Sequence, residues 1–129
     1  MAGAPLISIV DDDRSVGEAI KGLMKAVGFD AEVFTSAKEF LGSSRLPETA
    51  CVIADIQMPG LSGLELPDRL VAAGRRIPIV FITAFPNDRA QKRALKAGAI
   101  CLLTKPFSEE DLLACIRSVL PRDHDDAQK

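Results

Sequence analysis

The sequence predicts an α/β domain built on a single, doubly wound, five-stranded parallel sheet with five helices. Two observations predict it. Short apolar, β-branched runs alternate with segments whose apolar residues recur at helical spacing, five times over. The first, third, fourth and fifth of those runs are nearly continuous in apolar residues, as parallel strands must be when helices cover both faces. Right-handed crossovers convert such an alternation into a sheet with helices on both sides. A ligand site then lies beyond the carboxyl ends of the strands.

Leu6-Ile7-Ser8-Ile9-Val10 is the first strand, followed by Asp11, Asp12 and Asp13. Val16, Ile20, Leu23, Met24 and Val27 mark a helix that Gly28 closes. Ser15 and Glu18 have capping-box spacing, which allows a start as late as Ser15. Ala31-Glu32-Val33-Phe34 is a weaker strand, and Glu32 suggests a sheet edge. Ser36 and Glu39 repeat the capping-box pattern before a short helix through Phe40 and Leu41. Residues 43 to 49 read as a polar loop, and Cys51 to Ala54 as the third strand.

The helix after Gly63 carries Leu64, Leu66, Leu70 and Val71 and stops near Gly74. Pro67 would fall late in the first turn and cost a hydrogen bond in a helix starting at Gly63, whereas a start nearer Leu66 makes it an ordinary proline at the first helical position. A late or distorted start is expected. Ile77 to Ile82 is the fourth strand, with Pro78 at its first positions. Asn87 or Asp88 caps a helix running to Gly98, whose exposed face carries Arg89, Lys92, Arg93 and Lys96. Ile100 to Leu103 is the fifth strand. Ser108 and Asp111 open the last helix, which packs with Leu112, Leu113, Ile116, Val119 and Leu120 and ends at Pro121. The domain is expected over residues 5–120, with 121–129 a polar tail or linker stub.

Composition narrows the function classes. At 129 residues, 47% hydrophobic and 26% charged, the chain reads as one soluble globular domain. A net charge of −2 gives no general attraction to nucleic acid. The longest apolar run, Ile77 to Phe85, falls short of the ~20 residues of a membrane helix. No signal-peptide pattern opens the chain, so a cytoplasmic location is expected. Cys51, Cys101 and Cys115 lack CxxC spacing and read as small core residues. The single histidine, His124, lies in the polar tail, which argues against His-rich metal sites and Ser-His-Asp chemistry.

Polar residues gather where the strands end. The first strand ends in Asp11 and Asp12, the third in Asp55, the fourth in Thr83, and Lys105-Pro106 follows the fifth. After Asp55 come Pro59, Gly60 and Gly63, which hold an open loop. Each residue alone has a plainer reading: Asp11 to Asp13 as helix caps, Thr83 as a strand-end hydroxyl, Lys105 as a solvated loop lysine. Together they form a set with one physical use. Three clustered carboxylates repel, and one takes up a proton unless a cation sits among them. All-oxygen ligands suit Mg²⁺. Asp55 is then a carboxylate nucleophile accepting a phosphoryl group, with Lys105 pairing one phosphoryl oxygen and Thr83 donating to another.

Val10-Asp11-Asp12, Asp55-Ile56-Gln57-Met58-Pro59-Gly60, Ile82-Thr83-Ala84, Gly98-Ala99 and Lys105-Pro106-Phe107 resemble the receiver domain of bacterial two-component response regulators. The resemblance covers roughly residues 5 to 120 and implies a flavodoxin-like sheet of order 2-1-3-4-5. By position it implies Asp55 as phosphoacceptor. Asp12 would be the main Mg²⁺ ligand together with Asp55 and the backbone carbonyl of Gln57, and Asp11 would act mostly through bound water. It also implies a cis Lys105-Pro106 peptide. Its expected partners are a sensor histidine kinase or phosphotransfer protein and a downstream protein target, with no direct nucleic-acid or membrane contact. It leaves room for a phosphorylation-dependent dimer. Catalysis would be limited to the domain's own phosphoryl acceptance and slow autodephosphorylation, whose rate Gln57 and Phe85 would help to set. One departure stands out: Leu102 occupies the position where the family usually has Tyr or Phe. Phe85 and Pro86 are then candidates to carry the conformational change. The basic face of the fourth helix is a solvated surface or a contributor to partner choice.

Two other classes compete. A Mg²⁺-dependent phosphohydrolase with an aspartyl nucleophile needs a second acid two residues on, where Gln57 stands, and a cap domain for which there is no room. A flavodoxin-like cofactor carrier lacks a Gly-rich phosphate loop and any Trp or Tyr to stack a flavin.

Overall fold

The computed structural model describes residues 4–58, 60, 62–84 and 87–120. The described residues form five strands: β1 (Leu6–Val10), β2 (Asp30–Phe34), β3 (Thr49–Asp55), β4 (Ile79–Thr83) and β5 (Cys101–Thr104). Five α-helices accompany them among the described residues: α1 (Arg14–Ala26), α2 (Ala37–Leu41), α3 (Leu66–Ala72), α4 (Asp88–Lys96) and α5 (Glu109–Val119). The sheet is parallel throughout, in the order β2-β1-β3-β4-β5. That is the expected doubly wound fold, with β1 and β3 adjacent at the centre and β2 on an edge.

The period of two along each strand divides the core. Ile7, Ile9, Ile53, Val80 and Ile82 face one side, where they pack with Ile20 and Met24 of α1 and Leu112 and Ile116 of α5. Val10, Val52, Ala54 and Phe81 face the other, against Phe40 of α2, Leu66 and Leu70 of α3 and Ala94 of α4. Cys51 and Cys115 are buried in the first layer and Cys101 is half-buried beside it. Burial pushes the Cys51 and Cys115 thiols up to about 12, so both behave as inert packing groups. Among the described residues no helix is long and apolar enough to cross a membrane.

Several boundaries differ from expectation, each for a local reason. α1 begins at Arg14 because Asp13 caps it: the Asp13 carboxylate accepts from the Ser15 and Val16 amides and the Ser15 hydroxyl. The Ser15/Glu18 capping box therefore does not form. Ser36 does cap α2, but Glu39 reaches back to the Thr35 amide instead of that of Ser36. β3 starts at Thr49, inside the expected loop, because the Thr49 and Ser8 hydroxyls share a buried 2.7 Å hydrogen bond. β4 starts at Ile79; Pro78 stays outside it, though its carbonyl accepts from the Val52 amide at 3.0 Å. β5 is displaced one residue from expectation, to Cys101–Thr104. Before α3, residues Gly63–Glu65 form a 3-10 turn, so the helix starts late, at Leu66, and Pro67 is its second residue rather than its first, still where no intrahelical hydrogen bond is lost. Pro121 and the tail with His124 lie outside the described residues, as do Phe85 and Pro86.

Arg45 protects the β2 edge. Its guanidinium donates to Asp30 at 2.8 Å and Glu32 at 3.1 Å on that strand, and to Glu48 at 3.3 Å. The hydrogen bond from Arg45 holds the Asp30 carboxyl below its ordinary 3.8. A carboxyl depressed in the folded state contributes stability above its unfolded value, lost as pH falls through the folded one. Arg45→Met is therefore expected to lower the urea midpoint at neutral pH, with the gap to wild type closing in acid.

Candidate functional site

The backbone ladder carries the polar residues to one edge. Beyond β1, the Asp11 amide still donates to the Phe34 carbonyl of β2 at 3.0 Å. Asp55 is the last residue of β3 and lies in register with Ile82 of β4. Thr83 ends β4, and its carbonyl accepts from the Lys105 amide at 2.8 Å, one residue beyond β5. Asp11, Asp55, Thr83 and Lys105 thus gather at the carboxyl ends of adjacent strands, Thr83 one residue and Lys105 two residues past the level of Asp55. The Lys105-Pro106 peptide is cis, as the resemblance implied.

Lys105 sits between the two buried carboxylates. Its Nζ donates to Asp55 Oδ2 at 2.9 Å and to Asp11 Oδ2 at 3.3 Å. The other oxygen of each carboxylate accepts a backbone amide: Asp11 Oδ1 from Asp13 and Asp55 Oδ1 from Gln57, both at 2.9 Å. Asp11 and Asp55 are 2% and 5% exposed, so each is held by one fixed dipole and one shared cation. This compensation is incomplete. Burial, reinforced by the charge of Asp55, keeps the Asp11 carboxyl above its ordinary value despite the Asp13 amide and Lys105. At Lys105 burial works against the charged form, but the hydrogen bond to Asp55 and the charges of Asp11 and Asp55 outweigh it, so its pKa is raised.

Asp12 is exposed, yet one of its carboxylate oxygens lies in a group with those of Asp11 and Asp55, all within 4.8 Å of one another. Three hard oxygen donors with surplus negative charge at the crest match the requirements of a Mg²⁺ site. Thr83 is fully buried, and its hydroxyl donates to Gln57 Oε1 at 2.9 Å. All six residues named from the sequence, Asp11, Asp12, Asp55, Gln57, Thr83 and Lys105, therefore meet at one end of the sheet. The plainer helix-cap reading holds for Asp13, which the site does not use.

The sequence reading took Gly63 only as a loop glycine and missed Ser62. Ser62 closes the β3–α3 loop: its hydroxyl donates to the Ile56 carbonyl at 3.1 Å and accepts from the Leu64 amide at 3.2 Å. Its own amide donates to Glu65 at 3.0 Å, completing a capping box. The Ser62-x-x-Glu65 spacing was a legible signal. Gly63 lies directly against the Asp55 carbonyl, where there is no space for a Cβ. The side-chain partner of Gln57 had no sequence signal.

Comparison with known proteins identifies the family. Residues 7–117 match the family described as the response regulator receiver domain. The chain is 41% identical over 117 residues to the response regulator protein TodT of Pseudomonas putida, covering 91% of this chain and 52% of TodT. It is 33% identical over 114 residues to the transcriptional regulatory protein FixJ of Bradyrhizobium diazoefficiens, covering 88% of this chain and 56% of FixJ. The chain thus spans about half the length of these curated relatives. Among solved structures, the response regulator StyR matches with a TM-score of 0.82 at 43% identity, over 98% of this chain and 64% of that one. The Vibrio cholerae chemotaxis protein CheY4 matches with a TM-score of 0.81 at 26% identity, over 92% of this chain and 100% of that one. These relatives are signalling proteins, and the domain they share serves phosphorylation-dependent signalling. On sequence, topology and residue order together, the chain belongs to the receiver domains of two-component response regulators.

Proposed function

We propose that this domain is a switch thrown by phosphorylation of Asp55, using a phosphoryl group from a sensor histidine kinase or phosphotransfer protein. The observation that carries the proposal is the bridge of Lys105 Nζ between Asp55 and Asp11, at 2.9 and 3.3 Å, inside a three-carboxylate cluster. An Asp55 carboxylate oxygen forms the new O–P bond as the donor's P–N bond breaks. The electron pair leaves on the donor imidazole, and the product is an acyl phosphate. Lys105, already on the Asp55 carboxylate, follows the negative charge onto a phosphoryl oxygen. Thr83 donates its hydroxyl to a second.

Asp12, Asp55 and the Gln57 carbonyl would hold Mg²⁺, which when bound offsets charge on the transferring group. The exposure of Asp12 suits direct ligation. Asp11, already engaged by Lys105 and the Asp13 amide, suits a role at one remove. Sustained phosphohydrolase turnover is not favoured, because residue 57 is a carboxamide, whose N–H protons are far too weakly acidic to protonate a leaving group; slow autodephosphorylation remains the domain's own chemistry. The altered surface lies around residues 84 to 107, where α4 exposes Arg89, Lys92, Arg93 and Lys96 to a downstream protein or to a second copy. Leu102 is half-buried against the Phe81 layer, so the readout runs without an aromatic at that position.

Incubation with radiolabelled acetyl phosphate and Mg²⁺ tests the proposal. Wild type is expected to take up label, Asp55→Asn to take up none, and chelator to abolish the wild-type signal. Equal labelling of both proteins would refute Asp55 as acceptor.

A further inference from the structure

We propose that the Gln57 side chain is a built-in competitor of the phosphoryl group, holding in the resting state the hydrogen-bond donors that the phosphorylated state needs. This rests on the reading of Asp55 as acceptor and adds to it how the site is regulated.

Two donors converge on a single atom. The Thr83 hydroxyl reaches Gln57 Oε1 at 2.9 Å and the Ala84 amide reaches the same oxygen at 3.2 Å. A backbone N–H can only donate, so the atom facing Ala84 is the carbonyl oxygen of the amide. One oxygen accepting from a strand-end hydroxyl and the next amide is the arrangement a phosphoryl oxygen would require. Gln57 also spans the site, because its own amide donates to Asp55 Oδ1 at 2.9 Å. The residue therefore touches the nucleophile with its backbone and the donors with its side chain. A phosphoryl group on Asp55 engages Thr83 and Ala84 only by displacing Oε1.

Gln57 could instead help by preorganising the Thr83 hydroxyl, but the strand already places that residue. Thr83 is fully buried at the end of β4, and its carbonyl is held by the Lys105 amide at 2.8 Å. Competition is thus the larger effect of the amide. Occupied donors act as a fractional loss of binding-competent protein, removed when the competitor is removed.

Gln57→Met keeps a long side chain of similar volume and removes the acceptor. Its half-saturation by beryllofluoride with Mg²⁺ is expected to fall about fivefold, the scale of one net hydrogen bond. In the unligated protein the Ala84 amide resonance should move upfield. Gln57→Glu presents a charged acceptor to the same donors, and its half-saturation should rise. Neither readout involves attack of water on an acyl phosphate, so an effect on phosphate lifetime alone would move neither. Equal or weaker beryllofluoride binding by Gln57→Met, with wild type binding and Asp55→Asn not, would overturn the competitor role and leave the acceptor standing. Failure of wild type to bind, or equal binding by Asp55→Asn, would overturn both.

Discussion

Lys105→Met is expected to lose about 2 kcal/mol of stability at neutral pH and about 100-fold in the rate of labelling by acetyl phosphate. The ammonium is the cation that Asp55 and Asp11 share, and both carboxylates are buried. Breaking such a pair leaves uncompensated charge, which is the expensive outcome; the lysine's 23% side-chain exposure tempers the loss. The pH dependence has a definite sign. Burial already holds the Asp11 carboxyl above its ordinary value, and loss of the neighbouring cation raises it further. A carboxyl whose folded value exceeds its unfolded one weakens the fold when ionised. The destabilisation is therefore present at neutral pH and relieved as pH falls through the raised value. Urea titrations at neutral pH and in mild acid should show the gap to wild type closing. Added Mg²⁺ should also narrow it: without the competing ammonium the cluster binds the cation more tightly, and a ligand that binds only the folded protein stabilises more as its affinity rises. Equal stability of the two proteins across this range would mean that Lys105 does not neutralise the cluster.

Gly63→Ala should be the second severe substitution, at about 2–3 kcal/mol. A Cβ there would overlap the Asp55 carbonyl oxygen and stand 3.1 Å from its carbon and 3.3 Å from Ile56 Cα. All are backbone atoms, and none can rotate away. Relief requires the β3–α3 loop to retreat from the residue proposed to carry the phosphoryl group, so labelling should fall in protein that remains folded. Gly22→Ala is the matching control. Gly22 lies exposed within α1, and a Cβ there meets nothing within 4 Å. That change should stabilise by about 0.5–1 kcal/mol through helix propensity and reduced unfolded-state entropy. Thermal melts of the two variants should move in opposite directions.

Much of the fold was legible because it rests on local rules. The apolar runs at Leu6–Val10 and Cys51–Ala54 identify strands through period and propensity, and both lie in the central sheet. Glu32 marked β2 as an edge, and Arg45 pairs with its carboxylate there. The misreadings came from groups whose alternatives are locally equivalent. Ser15 and Asp13 both suit a cap, and the ionised acid, accepting from two amides and a hydroxyl, prevails. Thr49 looked like loop until a partner forty-one residues away, Ser8, allowed its hydroxyl to be buried.

Residue order and spacing dictate the alternation of strands and helices, and hence that Asp11, Asp12, Asp55, Thr83 and Lys105 fall just at or past strand ends on one side of the sheet. Strand direction and right-handed crossover leave little freedom there. How those groups pair emerges in the folded chain alone: Lys105 between two particular carboxylate oxygens, Asp13 turned away to cap α1, Gly63 against the Asp55 carbonyl, and the Gln57 amide seated on Thr83 and Ala84. Hydrogen bonds and close packing depend on directions and tenths of an ångström among residues far apart in the chain, which residue spacing does not encode.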